Sequence, residues 1–358
     1  MSVLEGKQLA DSVGRVWRVR PSALRTPIRA FALLGLILAG GEIAARSVFV
    51  RSHLGAPSVG SPSPLFDLQL AKLNALVDRE GGIDCLFLGN SMVLFGLDPD
   101  AFDAAYEART GQPLRSFNFA IGGITVSGVA AMARILAEDY HPWLIIYGLT
   151  ARDFSAIADA PSIEATPWVR YRRGDSSVDG WLTDHSQLFR YFLRYGWQTQ
   201  PATKLGQPDF AARAPRGFYP FAPATIFDAA AFDKARGLLS AQLRRDVSEQ
   251  QRAALNTVLQ VSDTGVQLVI LEMPVHLDRS QWPEEAAASY QRLMEEVRQA
   301  ARGTATPIWP PMAAQLVPED GWFDVWHLNG RGASAFGRWL GDRVAAAVQA
   351  GGLPPPRQ

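Results

Sequence analysis

A serine hydroxyl becomes a useful nucleophile when an imidazole takes its proton, and the imidazole does this best when a carboxylate fixes its tautomer. Five histidines occur among the 358 residues, so the search for such a base is short. His327 stands three residues after Asp324 in the stretch FDVWHLNG. Positions i and i+3 are neighbours on a helical turn, so Asp324 can accept the Nδ1 proton while Nε2 faces outward as a base. A serine in a fitting setting lies far upstream, in LFLGNSMVLFG from Leu86 to Gly96, where an apolar strand breaks off at Gly89-Asn90-Ser91. Open α/β sheets bind ligands at the carboxyl ends of their strands, which is where Ser91 would sit. Taken alone, Gly-Asn-Ser is also ordinary loop punctuation.

These residues need a parallel sheet to bring them together, and the chain carries the pattern of one. Helical spacing over Leu65–Arg79 ends at Gly81-Gly82, and the apolar run Cys85–Leu88 follows as a first strand. Pro99–Thr110 reads as a helix, Ser116–Ala120 as a strand, Val126–Tyr140 as a helix and Trp143–Gly148 as a third strand. Beyond Asp153 the rhythm stops. Residues 155 to about 225 read as an insertion capping the carboxyl edge of the sheet, with a helix near Ser186–Tyr195. Its aromatics Trp168, Tyr171, Trp181, Tyr191, Tyr195 and Trp197 suit either the core of that cap or a sugar platform. Alternation then resumes with a helix over Ser248–Ser262, a strand over Val266–Leu271, a helix over Pro283–Ala301, a short strand at Pro307–Trp309 and a last helix over Gly332–Gln349. Alternation of this kind predicts an α/β domain built on a parallel sheet with helices on both faces, over residues 65–349.

Lys plus Arg and Asp plus Glu both number 35, so no global field recruits nucleic acid. The charge is uneven, however. Lys7, Arg15, Arg18, Arg20, Arg25 and Arg29 precede the apolar run AFALLGLILAGG at Ala30–Gly41. Basic residues before an apolar run predict a membrane anchor over 27–50, with the basic segment 1–26 in the cytoplasm and the remainder outside the inner membrane. Glu42 and Arg46 fall inside any window long enough to span, and a cleaved signal peptide or a soluble cytoplasmic helix are the competing readings. The Pro-, Gly- and Ser-rich run within 51–64 reads as a linker, and 350–358 as a disordered tail. The single cysteine, Cys85, lies inside an apolar strand and is expected to be buried and inert.

The remaining strand exits carry polar residues or glycine: Asn118 and Gly123 after the second strand, and Gly148-Leu-Thr-Ala-Arg152-Asp153 after the third. With Ser91 after the first strand and Asp324-Val-Trp-His327 before the last helix, the chain from about 83 to 345 resembles the SGNH (GDSL-type) hydrolase superfamily. The resemblance implies a three-layer α/β/α domain with Ser91 as nucleophile, His327 as base, Asp324 as its orienter and Gly123 as an oxyanion donor. Two positions depart from the pattern. Asn90 stands where Asp is usual, and Thr-Ala-Arg-Asp replaces the Gly-x-Asn-Asp that would supply an oxyanion Asn. Asn90, Asn118 and Arg152 are therefore the candidates for further oxyanion or substrate contacts. These departures, with the anchor, resemble the membrane-linked branch that assists O-acylation of surface polysaccharides, including alginate acetylation and teichoic acid D-alanylation proteins.

Three functions follow from that resemblance: a membrane-anchored serine acyltransferase acting on a polysaccharide, with a multi-spanning O-acyltransferase as partner; an esterase using water as acceptor; and a non-catalytic glycan-binding or assembly protein. No cofactor is expected. A metal site is not expected, since His276 has no His or Cys near it and Asp324 with His327 supplies too few ligands. Gly122-Gly123 followed by Gly128 lacks the Lys-Ser/Thr of a phosphate-binding loop.

Overall fold

The computed structural model describes residues 21–155, 162–194, 215–221, 234, 247–276 and 282–356. The chain divides into two compact units, 1–53 and 54–358.

In the first unit the apolar run forms helix α1, Pro21–Arg46. Its stretch Thr26–Arg46 has 21 residues of mean hydropathy 1.7, which at 1.5 Å per residue is about 30 Å, the thickness of a bilayer core. A signal sequence has the same signature. Glu42 and Arg46 are one turn apart and meet, with Arg46 Nε donating to Glu42 Oε1 at 2.7 Å. Ser47 accepts from Val50 N–H and opens a second helix, α2 (Val48–Leu54), so the apolar helix stops at Arg46.

The second unit is an α/β fold. Its elements run α3 (Pro64–Glu80), β1 (Cys85–Gly89), α4 (Ser91–Gly96), α5 (Pro99–Thr110), β2 (Ser116–Asn118), α6 (Val126–Tyr140) and β3 (Leu144–Leu149). After them come α7 (Pro167–Arg172), α8 (Val178–His185), α9 (Gln187–Phe192), α10 (Glu249–Leu259), β4 (Gln267–Glu272), α11 (Glu284–Ala301), β5 (Ile308–Trp309) and α12 (Gly330–Gln349). The five strands are all parallel in the order β2-β1-β3-β4-β5. All of β1 and β3 is buried, as strands covered on both faces must be, and Cys85 is a buried free thiol. Strand order reverses between β1 and β3, the crevice where open sheets of this kind take their ligands.

Gly89 answers to α4. That helix lies so close over the strand tips that a Cβ on Gly89 would stand 2.4 Å from Val93 Cγ2, and one on the paired Gly148 2.3 Å from the same atom. The apolar strand ends in glycine because a helix must cross it there. Gly148→Ala should destabilise the unit by about 2 kcal/mol, the usual cost of overpacking, and lift the start of α4. Thermal melts check the first effect; unchanged melting would show that α4 accommodates a methyl group.

Parts of the expected linker and of the expected tail are packed. Within the linker, Ser58, Val59 and Ser61 are buried, Val59 N–H donates to Asp67 at 2.9 Å, and Ser58 N–H donates to the Arg190 carbonyl. In the tail, Leu353 is buried and the Trp143 indole donates to the Pro354 carbonyl, so chain order runs past 350. Within the insertion, the described stretch 162–194 packs on α6 and α3: Arg172 pairs with Asp139 at the end of α6, and Trp168 meets Phe66 of α3. Trp168 and Tyr191 are buried, whereas Trp181 is 49% exposed; Tyr195 and Trp197 lie outside the described residues.

Candidate active site

Ser91 is the first residue of α4, presented at the exit of β1. Its Oγ lies 3.0 Å from His327 Nε2, and His327 Nδ1 lies 2.8 Å from Asp324 Oδ2. The three side chains, 233 and more residues apart in sequence for Ser91 and its partners, form one hydrogen-bonded line. Burial raises the Asp324 carboxyl, but the His327 hydrogen bond and charge, with the N–H groups of Trp326 and His327, outweigh it and hold the group below the ordinary carboxylate range. An ionised carboxylate only accepts hydrogen bonds. Nδ1 therefore carries the proton, and Nε2 is left to accept from Ser91.

Asp324 and His327 do not share a helical turn, as their spacing predicts. They sit in a tight loop closed by an antiparallel bridge between Trp322 and Leu328, in which Phe323 N–H donates to the His327 carbonyl at 2.8 Å. Asp324 Oδ1 accepts from both Trp326 N–H and His327 N–H at 2.7 Å, an Asx-type turn that folds the imidazole back onto its own carboxylate. Asn329 then caps α12 by accepting from Arg331 and Gly332 N–H, which fixes the loop to the last helix. The rings of Phe95 and Phe221 stand edge-on to the imidazole at 5.7 and 5.6 Å. Phe221 comes from the insertion.

Ser91 and His327 open on a cleft of about 110 Å³. The exits of β3 and β4 supply Arg152, Glu272 and Met273, and Trp282, Tyr290 and Trp326 supply aromatic wall. Sequence reasoning did not single out these aromatics or Glu272. The strand-exit position of Glu272 is a signal that could have found it; Trp282 and Tyr290 precede and lie on α11, whose helical pattern reads as plain packing.

The other candidates divide. Asn90 and Asn118 are wholly buried with their amide hydrogens already taken, so neither is free to donate to a substrate. Asn90 Oδ1 caps α4 by accepting from Met92 N–H, and its amide hydrogens go to Thr150 and Asp153. Asn118 Nδ2 donates to the carbonyls of Val93, within α4, and Leu97, its C-cap. Gly123 is the third residue of a β-turn closed by Ile124 N–H to the Ile121 carbonyl, with φ +77, as a type II turn demands at that position. It does not line the cleft. Arg152 does, and its Nε is buried without a hydrogen-bond partner. Among the described residues it forms no ion pair; Asp153, its neighbour, is turned inward to Asn90, Thr150 and Tyr147.

No family model matches the chain, and no curated protein matches it. Among solved structures, it is similar to the crystal structure of a protein assigned as a GDSL-like lipase from Parabacteroides merdae ATCC 43184, at 12% identity and a TM-score of 0.33, over 73% of this chain and 96% of that one.

Proposed function

We propose that the chain is a membrane-anchored serine acyl-transfer protein of the SGNH type, acting outside the inner membrane on O-acyl groups of a polysaccharide. The observation that carries this reading is the unbroken hydrogen-bonded line from Ser91 through His327 to Asp324, opening on a cleft at the switch point of the sheet. Ser91 Oγ attacks the acyl carbonyl carbon while its proton passes to Nε2. The tetrahedral adduct collapses, the carbon–oxygen bond to the leaving alcohol breaks, and Nε2 returns the proton to that alcohol. A second hydroxyl, giving its proton to the same Nε2, then attacks the acyl-Ser91 ester; the bond from the acyl carbon to Ser91 Oγ breaks and Nε2 returns the proton to Oγ. The intact line speaks against a purely non-catalytic role.

The oxyanion is held by the N–H of Ser91, which as the first helical residue has no intrahelical acceptor, with Arg152 replacing the side-chain donor that the Asn would supply. Arg152→Ala should then lower the acylation rate by about 10²-fold, the cost of one oxyanion donor, with little change in KM. Loss confined to KM would instead make Arg152 a clamp for an anionic substrate.

The acceptor decides between transferase and esterase. Supplying an activated acetyl ester together with a hydroxyl-rich oligosaccharide, and following acetate and acetyl-glycan together, tests the choice. Acetyl-glycan formation in excess of acetate supports transfer; acetate alone makes the protein an esterase. The acyl donor in the cell would be a multi-spanning membrane acyltransferase. Thr26–Arg46 holds the domain at the membrane in this reading, and alkaline carbonate should leave the full-length protein in the pellet. Its release into the supernatant would overturn the anchor.

A further inference from the structure

Directly under the Ser91 turn lies a carboxylate that the acyl-transfer steps do not use. Asp153 is wholly buried, and among the described residues it has no cationic partner. Its Oδ2 accepts from the Tyr147 hydroxyl at 2.8 Å and Thr150 N–H at 3.0 Å. Its Oδ1 accepts from Asn90 Nδ2 at 2.7 Å and the Thr150 hydroxyl at 3.1 Å. Asn90 spends its second amide hydrogen on the Thr150 hydroxyl at 2.7 Å, and its Oδ1 holds Met92 N–H at 2.8 Å. Every polar atom of the two side chains is thus engaged, and the chain of contacts runs from β3 to β1.

Ser91 is the residue between the two atoms that this chain of contacts pins. Asn90 precedes it and Met92 follows it, and the Asn90 side chain bridges the pair. Whatever sets the amide orientation of Asn90 therefore sets the turn that aims Ser91 Oγ at His327. An amide has one accepting and one donating end, and a carboxylate facing its nitrogen settles which is which. We propose that Asp153 is the positioning residue of the nucleophile, acting through Asn90 to fix the turn that presents Ser91. This rests on Ser91 being the nucleophile.

Burial pushes the Asp153 carboxyl up to about 6, against hydrogen bonds from Thr150, Tyr147 and Asn90 that favour its charged form. The Tyr147 phenol, itself raised well above its ordinary value by burial and by Asp153, remains a donor throughout. No other titratable group faces Asp153 among its hydrogen-bond partners.

The test exchanges the two side chains. In Asn90→Asp two buried carboxylates meet; in Asp153→Asn two amides meet, and the orienting charge is lost. In the double variant the pairing is restored with reversed polarity. The carboxylate now at position 90 would accept from Met92 N–H, the Thr150 hydroxyl and the amide now at position 153, whose oxygen would accept from Tyr147 and Thr150 N–H. Acylation is read as the p-nitrophenolate burst from p-nitrophenyl acetate with the full chain in detergent, normalised to folded protein. Each single variant should lose about 10²-fold in burst rate, the scale of a small misplacement of a reacting group, and the double variant should recover to within about threefold of the parent. Burst rates in the single variants equal to the parent, or a folded double variant no faster than the slower single one, would overturn the proposal.

A milder variant covers the case in which the single ones do not fold. Tyr147→Phe removes one donor to the charged carboxylate and leaves the ring in place. The protonated form then gains, so its burst rate relative to the parent should fall progressively from about pH 9 to about pH 6, toward the raised value of the carboxyl. A merely structural role would leave that ratio constant, and a constant ratio would overturn the proposal. Ser91→Ala run alongside separates the two readings: a burst that survives it removes the nucleophile assignment itself, whereas its loss with no rescue in the exchange removes only the role of Asp153.

Discussion

Ser91→Ala is expected to lower ester turnover by about 10⁴-fold or more while leaving thermal stability unchanged. Ser91 is only partly buried, and the contact its hydroxyl makes is with His327 Nε2 at 3.0 Å. Removing one oxygen at a cleft wall empties no core volume. Without it no acyl-enzyme forms, and what remains is the stabilisation offered by the oxyanion donors and the cleft. His327→Ala should cost a similar factor, and the double variant little more than either, because the two groups act as one unit. Steady-state turnover of p-nitrophenyl acetate, with melting curves for each variant, checks this. Turnover within about tenfold of the parent in Ser91→Ala would place the chemistry elsewhere.

Asp324→Asn is expected to cost about 10⁴-fold in turnover with the loop intact. The geometry gives a specific reason. Asp324 Oδ1 accepts two backbone N–H groups at 2.7 Å, and an asparagine carbonyl oxygen can take both over, which fixes the direction of its amide. The amide nitrogen then falls where Oδ2 now meets Nδ1 at 2.8 Å. Two donors cannot face each other, so the imidazole moves its proton to Nε2, and Nε2 can no longer accept from Ser91. The fold survives because the Asx turn survives. Lost turnover with a melting point near that of the parent would be the signature; turnover retained within about tenfold would mean that Asp324 does not set the tautomer.

The strands were legible because each is a short apolar run closed by glycine or polar residues. Cys85–Gly89 and Leu144–Leu149 lie within a residue of their expected bounds. Helix α4 was not, because six residues are too few to show a period; what starts it is the Asn90 cap, and what permits it is glycine at 89 and 148. The serine, histidine and aspartate could be picked out by type and spacing, yet the loop that joins the last two depends on a bridge from Trp322 to Leu328 that no local spacing reveals.

The asparagines illustrate the harder problem. Polar residues at strand exits read naturally as ligand contacts, but Asn90 and Asn118 are claimed by buried backbone groups of α4 and by Asp153. Buried donors and acceptors must be satisfied, and which ones need help is known only once the chain is folded. Arg152 is the converse, a strand-exit residue whose guanidinium lines the cleft and has a buried N–H without a partner among the described residues.

The most direct measurement is the covalent one. Full-length protein exposed to an activated acetyl ester, quenched in acid and digested, should yield a peptide carrying one acetyl group on Ser91, absent from the Ser91→Ala and His327→Ala proteins. An acetyl group found reproducibly on another residue, or ester turnover with no acetyl-Ser91 at any quench time, would contradict a serine acyl-transfer mechanism at this site.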